Sequence, residues 1–81
     1  MALIDKNNFK HINKNRNSVH DKTVATYTTF NIDDHKYFQI DIYGKCTRKR
    51  VNQISQSIQL DEEAALMLID FLDSHFNFSM K

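Results

Sequence analysis

Eighty-one residues with one cysteine, one glycine and no proline make one small domain, too short for a second core and without a partner thiol for an intramolecular disulfide. Cys46 and four scattered histidines (His11, His20, His35, His75) offer no paired spacing for a zinc site. No apolar run reaches the roughly 18 residues that span a bilayer, and the first fifteen residues lack the apolar core of a secretory signal. The net charge of +1 hides an asymmetry, +5 over residues 1–60 against −4 over residues 61–81. A negatively charged partner would therefore approach the sheet or the loops and not the C-terminal helix.

These bounds lead to a non-enzymatic cytoplasmic protein with no cofactor and no metal. A chain this short buries a small share of its surface, so a homodimer is the expected additional stabiliser. Residues 1–22 read as an N-terminal arm and residues 23–81 as a single β-β-β-α domain. In the arm, Ile4, Phe9 and Ile12 can hold a short helical turn or an irregular segment against the domain, and the Asn-rich run NKNRNS reads as loop.

The segment Val24–Ile32, VATYTTFNI, is β-branched and aromatic and reads as a strand. Its apolar residues Val24, Phe30 and Ile32 suggest a core face that also carries Thr26 and Thr28, with Tyr27 on the other side. Asp33-Asp34-His35 reads as the turn of an antiparallel hairpin. The next strand, KYFQIDIYG, alternates strictly. Phe38, Ile40 and Ile42 face the core, while Tyr37, Gln39, Asp41 and Tyr43 face away. After Gly44 comes the basic loop KCTRKR, then a strand over about 52–60. In that strand Ile54, Ile58 and Leu60 alternate with Ser55, Ser57 and Gln59.

Asp61 is a good N-cap, and Glu62 and Glu63 complement the positive end of a helix expected to run to about His75. Its apolar surface is wide: one stripe of Ala65, Leu68, Ile69, Leu72 and Phe76, and a second of Ala64, Met67 and Phe71. That is wider than covering a three-stranded sheet requires: either the N-terminal arm or the FNF tail packs on the excess, or the second stripe, Ala64, Met67 and Phe71, is a dimer or partner interface. The fold class is α+β, an antiparallel sheet of three strands, or four, with one C-terminal helix across one face and an irregular or short-helical arm before it.

The outward sheet face, with Tyr27, Tyr37, Gln39, Tyr43, Ser55 and Ser57, is the candidate binding surface. Aromatic rings on a sheet stack on unpaired bases, and amides and hydroxyls bond to base edges or phosphates. Lys45, Arg48, Lys49 and Arg50 form the dense basic cluster beside it, suited to phosphates. Cys46 lies among these cations without a histidine placed to serve as its base, and reads as a free thiol. A single glycine cannot build a phosphate-cradling loop.

The segment KYFQIDIYGK…SQSIQLDEEAALMLIDFL resembles the single-stranded-DNA-binding transcription coactivator (positive cofactor) family and its bacterial relatives. Lys36-Tyr37, Lys45–Arg50, Ile58-Gln59-Leu60 and Asp61-Glu62-Glu63 occupy the places of that family's strand start, basic loop, isoleucine strand and acidic helix start. The tryptophan-bearing strand of the family has no counterpart here. The resemblance implies a dimer formed through the helix and single-stranded DNA or RNA bound over the sheet. QSIQLDEEAALMLIDFL also resembles the last strand and helix of the arm-binding domains of phage-type integrases. Double-stranded-RNA-binding domains are set aside, because Asp61-Glu62-Glu63 would repel phosphate where they carry a basic patch. The rival expectation is a protein-binding modulator, such as a phage- or mobile-element-encoded inhibitor of a host defence enzyme.

Overall fold

The centre of the fold is a hairpin. In the computed structural model, which describes residues 1–44 and 54–78, strand β2 (Ala25–Ile32) pairs antiparallel with β3 (His35–Tyr43). A two-residue turn joins them: Ile32 pairs with His35, and Asp33 and Asp34 both adopt positive φ, 52° and 64°. Hairpins of this length favour that left-handed pair, and aspartate tolerates it better than most residues.

Strand β4 (Ile54–Asp61) pairs antiparallel with the far side of β3, placing Phe38 opposite Leu60, Ile40 opposite Ile58 and Asp41 opposite Ser57. The strand expected over 52–60 is thus described from Ile54 onward, and residues 52 and 53 lie outside the described residues. The register shifts near the Gly44 end of β3, so that Tyr43 pairs with Ile54 and Ser55 has no partner. Ile54 thereby leaves the alternation of Ile58 and Leu60 and is 44% exposed.

A fourth strand comes from the arm. Strand β1 (Ala2–Leu3) lies parallel to β4, Ile4 N donates to Gln59 O at 2.9 Å, and a 3-10 turn follows at Lys6–Asn8. The sheet is therefore mixed and not purely antiparallel, with strand order β1-β4-β3-β2. Asp5 caps the 3-10 turn by accepting from Asn7 N at 2.9 Å and Asn8 Nδ2 at 2.7 Å. These two bonds hold its carboxyl below the usual range.

Helix α1 (Glu62–Phe76) begins where β4 ends. Asp61 caps it, accepting from Ala64 N at 2.8 Å, and Asn77 closes it in the left-handed conformation with its N–H on Asp73 O at 2.8 Å. The helix lies over β3 and β4, where it buries Ala64 completely and Leu60 to 4% exposure. Phe38, Ile40, Ile42 and Ile58 on the same face are only half-buried. Phe9 from the arm meets Phe71 edge-on at 5.1 Å, and Lys6 pairs with Glu63. No helix is long and apolar enough to cross a membrane among the described residues.

Candidate nucleic-acid interface

Strand alternation sends Tyr37, Gln39, Asp41 and Tyr43 to the face opposite α1. Ser57 and Gln59 of β4 join them across the ladder, as Thr26, Thr28 and Phe30 do from β2. Phe30 stacks on Tyr37, with ring centroids 5.4 Å apart and planes 21° apart. At the other end of the strand the Tyr43 hydroxyl lies 3.2 Å from Thr26 Oγ1.

Between the two tyrosines runs a chain of hydrogen-bonded polar side chains. Gln59 Nε2 donates to Gln39 Oε1 at 2.8 Å, Gln39 Nε2 to Asp41 Oδ1 at 2.9 Å, and Ser57 Oγ to the same carboxylate oxygen at 2.5 Å. Asp41 and Ser57 are buried, so their partners replace water. The Ser57 bond, followed by that of Gln39, lowers the Asp41 pKa. The lowered pKa makes the folded state favour the ionised form. That contribution to stability is present above the ordinary carboxylate pKa and is lost as pH falls through the depressed one. A carboxylate so held is a poor base, and the Ser57–Asp41 contact is no activated nucleophile. These amides and hydroxyls serve one another. What the face offers a ligand is aromatic surface more than hydrogen-bonding groups.

Of the residues expected to bind, Tyr37, Gln39, Tyr43 and Ser57 share this face. Tyr27 does not: it pairs with Ile40 on the helix side, stacks on Phe38 at 5.0 Å and is 69% exposed. The reading of β2 was inverted, because a two-residue turn places Phe30, not Tyr27, beside Tyr37. Ser55 sits unpaired at the register shift. Lys45, Arg48, Lys49, Arg50 and Cys46 lie outside the described residues. Among the expected interface residues, Ala64 is buried within its own chain and Met67 is half-buried. Phe71 takes Phe9 as its neighbour and stays 41% exposed. The exposed apolar helix surface is Leu66, Phe71, Leu72 and Phe76, with Phe78 stacked on Phe76 at 5.2 Å.

Charge divides the face along β3. At the Tyr37 end a groove of 340 Å³ is lined by Asp34, His35, Lys36, Asp61, Glu62 and Glu63, a rim that repels phosphate. At the Tyr43 end the arm arrives: Thr23 Oγ1 donates to Tyr43 O at 2.6 Å, and Tyr43 N donates to Val24 O at 3.0 Å. Residues 10–24 form neither helix nor strand and are exposed throughout. They carry Lys10, Lys14, Arg16 and Lys22 against Asp21, a net of +3; of these, Lys10 lines a groove with Leu68 and Phe71 on the helix side. Sequence reasoning passed over these cations and Phe30. The first could have been found in the Lys/Arg/Asn spacing of the arm, the second by counting the turn as two residues. Among the described residues no group of His, Cys, Asp and Glu is arranged to hold a metal ion. Comparison with protein families, characterised proteins and solved structures finds no match to this chain.

Proposed function

We propose that this protein binds single-stranded nucleic acid without catalysing a reaction, along the Tyr43 end of the sheet face and the basic arm beside it. The observation that carries the reading is that the cationic arm joins the sheet beside Tyr43, through Thr23 and Val24, at one end of a face whose other end is acidic. Tyr43 offers a base a stacking surface, and Arg16, Lys22 and the neighbouring asparagines suit phosphate and sugar contacts. The acidic rim keeps a strand from the Tyr37 end. In sequence, Lys45, Arg48, Lys49 and Arg50 follow directly on Tyr43-Gly44 and add to the same charge. The resemblance to single-stranded-DNA-binding coactivators points the same way. The reading includes self-association, and the lone cysteine suits a reducing cytoplasm.

Replacing Lys14, Arg16 and Lys22 together by alanine should weaken binding to a labelled single strand. It should also flatten the dependence of log K on log salt by about 0.7 per cation that touches phosphate, up to about 2 in all. Anisotropy titrations at several salt concentrations read both quantities. An unchanged slope would remove the arm from the site.

Leu66, Leu72, Phe76 and Phe78 support a second reading. Their exposure, from 37% to 57%, fits a docking surface for another protein, in keeping with an inhibitor or modulator carried by a phage or mobile element. Recovery of one stoichiometric protein and no nucleic acid would favour it.

A further inference from the structure

The two edges of the sheet are managed differently. One edge is β1, only two residues long, with residues 54–57 of β4 open beside it and carrying the register shift at Ser55; short strands and bulges both blunt an edge. The other is β2, eight residues, ATYTTFNI, with no charge, no proline and no shift in its pairing to β3. Natural sheets blunt a long edge with such devices or cover it. Helix α1 does not reach β2, and among the described residues no backbone group from outside the hairpin bonds to it.

Hydrogen-bond parity identifies the open groups. Val24 and Tyr43 are a bonded pair, since Tyr43 N donates to Val24 O. Bonded pairs recur at every second residue of an antiparallel ladder. Thr26, Thr28, Phe30 and Ile32 therefore turn their N–H and C=O groups toward β3. Those of Ala25, Tyr27, Thr29 and Asn31 point outward.

We infer that this edge pairs with the β2 edge of a second copy, antiparallel about a two-fold axis near Thr28, joining two sheets into one. With Thr28 opposite its own counterpart, Tyr27 faces Thr29 and Ala25 faces Asn31 of the other copy, so all four outward residues are satisfied on each side. An uncharged edge can meet itself without like-charge opposition, as a self-complementary interface requires. The molecule is also more open than a compact domain of its size. The chain exposes 7663 Å², whereas a compact monomer of its 9.6 kDa exposes about 5,100 Å². Its radius of gyration is 15.1 Å against about 12 Å for a compact domain of this length. The extended arm accounts for part of that excess. Pairing at β2 would also set the Phe30–Tyr37 stacks of two copies on one continuous face. The inference deepens the self-association in the proposed function and holds whatever the face binds.

Mass measurement of the purified chain, with amide hydrogen exchange in the same buffer, tests it. The expected mass is twice 9.6 kDa, with the amides of Tyr27 and Thr29 exchanging as slowly as those of Thr28 and Phe30. Thr29→Pro removes an outward N–H and leaves the β3 ladder intact, so it should return the mass to that of one chain while the inward amides stay protected. A monomeric wild-type protein with rapidly exchanging outward amides overturns the inference and leaves the edge to a strand of another protein. A dimer whose outward amides exchange rapidly also overturns it, whether or not the proline variant folds, and moves self-association to the helix. Neither result bears on whether the single chain binds nucleic acid.

Discussion

Leu60→Ala should cost about 2–4 kcal/mol of stability and lower the midpoint of thermal unfolding by about 10–30 °C. Leu60 is the last inward residue of β4, opposite Phe38 and under the first turns of α1, and at 4% exposure it is the most buried large apolar side chain among the described residues. Truncation there removes apolar burial and leaves a cavity that helix and sheet would have to collapse to fill. A chain of 81 residues has about 4–12 kcal/mol of total stability, so the loss is a large fraction of the whole. Leu66→Ala is the matched control, because Leu66 is 57% exposed and its truncation should change stability by no more than about 0.5 kcal/mol. Thermal or urea unfolding of both variants decides. Equal losses would mean that α1 does not cover Leu60 as described.

The second large effect concerns binding. Tyr43→Ala should weaken affinity for a single strand by about 1–3 kcal/mol, roughly 5- to 150-fold, if one base stacks on the ring. Tyr43→Phe keeps the ring and loses only the contact with Thr26 Oγ1, so it should retain most of the affinity. Tyr27→Ala should have little effect, because Tyr27 lies on the opposite face. This ordering separates a site on the Tyr43 face from one on the helix side. If the Tyr27 variant binds more weakly than the Tyr43 variant, the ligand lies across the Tyr27–Phe38 stack.

The faces of β3 were legible because its alternation is strict: every even residue from Phe38 to Ile42 is apolar, and every odd one from Tyr37 to Tyr43 carries a polar group. The helix start was legible because Asp61-Glu62-Glu63 combines a cap with first-turn acids. Strand β2 misled for a definite reason. Apolar residues occur at both parities of VATYTTFNI, so composition could not choose a face, and the choice fell to the turn. Taking His35 into the turn flips the parity; pairing it with Ile32, as the structure does, puts Phe30 beside Tyr37. The parallel strand Ala2–Leu3 was beyond reading, since two residues carry no periodicity. The wide apolar surface of α1 was legible, and so was the arm as one candidate to cover it, but not which residues would meet. Phe71 is met by Phe9, more than sixty residues earlier in the chain. Ala64 turns inward, not toward a partner.

The most direct measurement is fluorescence anisotropy of labelled single-stranded and duplex oligonucleotides titrated with the wild-type chain at low and high salt. Tighter binding to the single strand, weakening steeply as salt rises, is the result the account predicts. Failure to bind either oligonucleotide at low salt would contradict it and give the apolar helix surface the stronger case. Equal or tighter duplex binding would contradict the assignment of unpaired bases to Tyr43.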